Sequence, residues 1–453
     1  MNHDFGAHID WLVKNVDSRK RMLPTFAHLS GTMTNRVRDD IDKFIDAHAF
    51  DKVLDEDGGV IEFGVPEEFS GRYVVLNRSY QNTQIFTDLL PKMTLVSLVS
   101  LFDAFIARIV RAVFQAKPEI LNGSEKKLSY LEIMEFGDLD ETREYVVSLE
   151  VESILRMSHS EQFDWLENKI SIPLRKDLDA WKFFVEITER RNLLVHSDGL
   201  VNKQYLKVCK LAGRDMSSDF ETGDRVSVAP EYYEQACDCI AEIGIKLGQV
   251  LWRKLLPDDL DAADSSLINT IYSFLFMREY EQALILGKFA AIPAIKNSKL
   301  EHTYYLKINH AIALRGLGRE DDCVKLLEDV DWSALSDKYR IAAAVLTKKW
   351  NDAAELMERI GPKGDIAKPQ YRVWPLFRWF RKTDEFKETY KKVFGEAFKI
   401  MGNTSPDDDR EEDIEEAGKP NGIAIEHSVE DDVSGSQTNQ EEVSGEGLVE
   451  ASS

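Results

Sequence analysis

Twenty residues, LVSLVSLFDAFIARIVRAVF from Leu95 to Phe114, constrain this chain more than any other stretch. At about 100° per residue, Leu95, Leu98, Phe102, Phe105, Ile109 and Val113 fall on one helical face, with Val96, Val99, Ile106 and Val110 beside them. An apolar surface that wide cannot face water, so the helix belongs either in a membrane or in the middle of a bundle. Asp103, Arg108 and Arg111 interrupt it, which favours the bundle. Asp103 falls at the edge of the apolar surface, where it becomes a candidate partner for a buried arginine. The surroundings agree: 453 residues with 43% hydrophobic and 30% charged content describe a soluble globular chain, long enough for two or three cores. The opening MNHDFGAHIDWLVKNVDSRKR is charged from the start and does not resemble a signal peptide. The expected class is all-α, with no membrane span.

In chain order, apolar positions from His8 to about Phe50 predict helices, and Gly58 to Tyr73 predicts a loop or small hairpin. A helix is expected from near Asn82, bent at Pro91, to about Gln115. Helices are expected over Asp140–Met157 and Ser160–Ile170, then at Trp181, and a last long one opens at Pro230. Residues 1–81 thus read as N-terminal helices and a loop packed on a helical unit at 82–257. Beyond Pro257 the texture becomes helical hairpins (MREYEQALILGK, LGREDDCVKLLEDV, TKKWNDAAELMERI, RKTDEFKETYKKVF) spaced by roughly 35 residues, the period of two-helix solenoids. This region, 265–400, resembles degenerate tetratricopeptide repeats, most visibly at Gly318–Leu327. From 402 to 453 sixteen acids face only Arg410 and Lys419, which predicts a disordered acidic tail. That tail holds −14 of the net −23, so the rest of the chain is only mildly acidic and leaves room for a local basic pocket. Four cysteines without a paired framework fit a reducing cytoplasm, and Cys237 and Cys239 read as packing thiols. No carboxylate or His/Cys cluster has metal spacing, so neither metal nor cofactor is expected.

One stretch carries a constellation that looks like chemistry, WKFFVEITERRNLLVHSDGLVNKQYL from Trp181 to Leu206. Trp181, Phe184, Ile187, Arg191 and Leu194 share a face, so a permanently charged guanidinium lies on an apolar stripe and needs an anion. Asn192 and His196, four residues apart, share the neighbouring flank. Ser197, Asp198 and Gly199 follow as a helix stop. A cation, an amide and an imidazole therefore gather at one helix end, with Arg190, Asp103 and Asp198 as supporting candidates.

The phrase RRNLLVHSDGLVNKQYL resembles the signature of the HEPN superfamily, all-α domains that include metal-independent endoribonucleases of bacterial defence and toxin-like proteins. The resemblance covers Asn82 to Pro257, and the helix order agrees with it. It implies a homodimer in which both motif helices face one RNA-binding cleft. Arg191 would bind the scissile phosphate, Asn192 would orient the phosphate or the histidine, and His196 would take a proton from the ribose 2′-hydroxyl or give one to the leaving oxygen. An imidazole with an unperturbed pKa of about 6.5 suits that work. The nucleophile would be the ribose 2′-hydroxyl and the product a 2′,3′-cyclic phosphate. Structural readings stay open beside it. Arg191 would then pair with Asp103 or Glu186, His196 would cap its helix, and the chain would be a non-catalytic scaffold binding RNA or a protein partner through its repeats.

Overall fold

The computed structural model describes residues 4–55, 60–124 and 126–399. The chain opens with α1 (Phe5–His48), 44 residues that run unbroken through Pro24 rather than as several helices. A small antiparallel hairpin follows, β1 (Phe50–Leu54) against β2 (Val60–Gly64), with Phe50 opposite Gly64. Next comes α2 (Glu67–Ala116), 50 residues long. A hairpin does form, but earlier than the Gly58–Tyr73 stretch read as loop or hairpin: β1 precedes Gly58, which lies outside the described residues, and 67–73 already belong to α2. The helix expected near Asn82 begins fifteen residues earlier, so the 81/82 boundary falls inside α2. The helix runs through Pro91, where packing against α1 holds it, and Thr94 Oγ1 donates to the Pro91 carbonyl at 2.8 Å.

Three pairs show that α1 and α2 lie antiparallel: Arg19 with Ser97, Ser30 with Thr87, and Arg38 with Tyr80. Near the hairpin the two helices stand with apolar residues in solvent, among them Phe26, Leu29, Met33, Ile85 and Phe86. Towards Ala116 they enter the core. Leu95, Leu98, Phe102, Phe105, Ile109 and Val113 are all fully buried, as the stripe required. Among the described residues α2 is the one helix long and apolar enough to cross a membrane, and half of that apolar window is buried.

Around α2 pack α4 (Leu139–Leu155), α6 (Trp181–His196) and α8 (Pro230–Leu255), preceded by α3 (Tyr130–Glu135) and with α5 (His159–Ile170) against α6. Capping explains several boundaries. Asp138 starts α4, and Ser158 with Glu161 forms a capping box on α5. The C-terminal helices are α9 (Leu260–Phe276), α10 (Tyr280–Ala290), α11 (Leu300–Gly316), α12 (Glu320–Glu328), α13 (Asp337–Leu346), α14 (Trp350–Ile360), α15 (Lys368–Val373) and α16 (Asp384–Phe394). Consecutive members pack as antiparallel neighbours, α9 with α10, α10 with α11, α11 with α12 and α13 with α14. Residue 265, the expected start of this region, falls inside α9, because Pro257-Asp258-Asp259 forms a single 3-10 turn that launches the helix at once. The class is all-α, with one hairpin as its only described sheet. The acidic 402–453 segment lies outside the described residues.

All four cysteines are free and buried. Burial pushes the Cys237 thiol up to about 12, which keeps it protonated and fits a packing role.

Candidate active site at the end of helix α6

α6 starts at Trp181 and ends at His196, the span read from the sequence. Its exit is built from backbone: Ser197 and Gly199 both donate to the Leu193 carbonyl, at 2.9 and 3.0 Å. Asp198 and Gly199 take left-handed φ of 49° and 75°. Asn202 then accepts from the Tyr205 amide and caps α7 (Lys203–Leu211), a helix the sequence reading did not separate from the turn. The loop Gly213–Gly223 is stitched onto this exit, with Val201 N donating to Asp224 O and Gly223 N donating to Val201 O. Much of the HSDGLVN phrase is thus helix punctuation.

The two adjacent arginines go to different places. Arg190 is the deeply buried one. Its Nε donates to Glu186 Oε1 at 2.6 Å, and Nη1 donates to the Ser227 carbonyl at 2.7 Å. Tyr205 and Tyr232 hydroxyls donate to the same Glu186 carboxylate at 2.7 and 2.8 Å, and the Arg190 guanidinium lies 4.1 Å from the Tyr232 ring centroid. Burial and the Glu186 charge together push the Tyr205 hydroxyl well above its ordinary range. This closed network ties α6 to α7 and α8. Arg190, a supporting candidate in the sequence, is thus held in this network away from Arg191, and Glu186 is its partner rather than that of Arg191.

Arg191 meets α2 instead. Its Nη2 lies 3.2 Å from Asp103 Oδ2, with its side chain 21% exposed. The other carboxylate oxygen of Asp103 lies 2.9 Å from His159 Nε2. His159, at the start of α5, is buried with its ring edge-on to Phe184. Asn192 Nδ2 donates to Glu189 Oε1 at 3.4 Å. Burial raises the Glu189 carboxyl, and the nearby His159, Asn192 and Arg191 pull it back down. Asp103, His159, Glu189, Arg191 and Asn192 form one polar cluster across three helices. The sequence reading named Asp103 as an arginine partner but missed His159 and Glu189. Glu189 carries a local signal, since it lies one turn before Asn192. His159 carries none, because only the packing of α5 brings it to Asp103.

His196 lies at the open end of α6. It is exposed and has no hydrogen bond or ion pair among the described residues. Five residues of helix separate it from Arg191, which turns it about 140° around the axis and moves it about 7.5 Å along. Arg191 therefore faces α2 while His196 faces solvent, beside the exposed Val195 and Leu200. Asp198 does not join it: its carboxylate pairs with Arg225 at 2.7 Å. Among the described residues no group of three His, Cys, Asp or Glu could hold a metal ion.

Comparison of the chain with protein-family models, curated proteins and solved structures finds no match.

Proposed function

We propose that the end of α6 is an RNA-cleaving site of HEPN type, completed by a second copy of the chain, with the C-terminal tetratricopeptide-like hairpins recruiting a partner or positioning RNA. The observation that carries this is the free, exposed imidazole of His196 about one helical turn beyond Asn192 and five residues beyond Arg191. One helix cannot aim Arg191 and His196 at a single phosphate, because they diverge around its axis. Two helices facing each other can, and the exposed Val195 and Leu200 offer an apolar contact beside the ring.

The chemistry follows from the groups. Arg191 Nη2 is committed to Asp103 and Nε is buried, so a phosphate oxygen would be met by Nη1, for which no hydrogen bond competes among the described residues. As the ribose 2′-oxygen attacks phosphorus and the 5′-oxygen leaves, charge builds on the non-bridging oxygens, where a guanidinium stabilises it. His196 takes the 2′ proton or supplies one to the leaving oxygen. The product is a 2′,3′-cyclic phosphate, and no metal takes part. A role in toxin-like or anti-phage defence rests on the resemblance alone.

A second reading draws on the Asp103 contact. A guanidinium already paired inside the fold suits a non-catalytic scaffold that binds RNA or protein. Incubating the full chain with RNA in EDTA, beside Arg191→Ala and His196→Ala, separates the two. Cleavage by wild type that both variants lose by about a hundredfold or more supports the nuclease. RNA retention without cleavage supports the scaffold, and equal cleavage by all three removes the site.

A further inference from the structure

At the seam between the α2 bundle and the C-terminal hairpins lies a pocket of about 610 Å³, within the range of small-molecule sites. Three pieces of chain form it: the α5–α6 connection, the C-terminal half of α8, and the start of α9 together with the α10–α11 loop. Its floor is mostly aliphatic, with Ile172, Leu174, Ile243, Leu247, Val250 and Ile295, beside the buried rings of Phe163 and Phe289. The charged residues around it are lopsided. Lys176, Lys246, Arg253, Lys254 and Lys296 line it against a single acid, Asp177.

Two of the five cations are already committed. Lys246 pairs with Glu242, and Arg253 pairs with Asp264 at 2.8 Å. The ammonium groups of Lys176, Lys254 and Lys296 make no ion pair or hydrogen bond among the described residues. Arg253 adds a second observation. Its side chain is only 7% exposed, yet Nη2 is buried and has no hydrogen-bond partner. A buried guanidinium donor without an acceptor is costly, so an acceptor that enters the pocket gains more than one at the surface.

We infer that this pocket binds a single-chain aliphatic anion, a fatty carboxylate or alkyl phosphate, with its head among the three lysines and Arg253 and its chain on the aliphatic floor. Lysine ammonium groups are point charges without a fixed fork, so they accept either head group. The apolar lining is mostly aliphatic, and its two rings, Phe163 and Phe289, are 1% and 6% exposed and present little face for stacking, which suits an alkyl chain better than a base. The site stands apart from the α6 terminus and does not depend on its proposed activity.

The test is isothermal titration of the full chain with dodecanoate and with dodecyl phosphate, each below its micelle-forming concentration. Dodecyltrimethylammonium and inorganic phosphate serve as controls. The expected result is one saturable site for the two anions and none for either control. Lys254→Glu and Lys296→Glu, both on exposed side chains, should weaken binding about tenfold or more without changing the melting temperature. Val250→Trp, which fills the floor, should remove it. Absence of saturable binding, equal binding of the cationic amphiphile or of bare phosphate, or affinity unchanged by both lysine variants would overturn the assignment.

Discussion

Arg190 and Arg191 are neighbours in sequence, yet α6 turns them about 100° apart into different chemistry. Removing Arg190 leaves Glu186, which is fully buried, without its cation. Arg190→Ala should therefore cost on the order of 3–5 kcal/mol, whereas Arg191→Ala, at a partly exposed pair, should cost about 1 kcal/mol. Urea denaturation of both variants measures the difference, and equal losses would remove the Glu186 network as the anchor of α6. His310 on α11 makes a separate prediction. Burial first, then the Lys288, Arg319 and Lys307 charges, lowers its pKa from 6.5 to about 4. Between those pH values the unfolded chain binds a proton that the folded chain refuses. Stability from this group is fully present above pH 6.5 and is lost as pH falls toward 4, by on the order of 3 kcal/mol. His310→Gln should accordingly lose less stability than wild type between pH 7 and pH 5 in urea titrations. If the two lose equally, His310 is not the titrating group.

At the scale of elements, the crossing of α1 over α8 depends on two glycines. A Cβ at Gly248 would lie 2.7 Å from Ile9 Cγ1, and one at Gly244 would lie 2.1 Å from Leu12 Cδ2. Ile9 and Leu12 are fully buried, so neither has room to retreat. Alanine normally stabilises a helix by about 1 kcal/mol over glycine. Here overpacking of about 1–3 kcal/mol opposes that gain and reverses the sign. Gly248→Ala should lower the melting temperature; a rise would mean that α1 sits off α8. The outer halves of α1 and α2 behave differently, because their apolar residues face solvent. Leu29→Glu combined with Met33→Glu changes side chains that are 53% and 61% exposed and should leave the unfolding free energy from urea denaturation within about 1 kcal/mol of wild type.

On the scale of the whole molecule, charge lies unevenly along the chain. A version ending at residue 401 loses sixteen acids and should bind single-stranded RNA more tightly at low salt, with the difference fading as ionic strength rises. Filter-binding at two salt concentrations reads this directly, and equal affinities for both chains would make the tail electrostatically silent. The all-α class, the burial of the Leu95–Val113 stripe, the limits of α6 and the glycine turn after His196 were all legible in the sequence. Each is a short-range consequence of periodicity, capping or left-handed backbone. Two features were not: that α1 and α2 run far beyond their apolar cores, and that Asn202 opens a new helix. Longer-range packing overrides local punctuation such as Pro24 and Pro91. The sequence also determined that α6 carries an arginine on its apolar stripe and a histidine on another flank. Only the tertiary structure decided that Arg190 takes Glu186, that Arg191 takes Asp103, and that His159 shares that carboxylate. These partners lie up to 88 residues apart along the chain, and a charge in a helix is satisfied by whichever element the packing brings beside it.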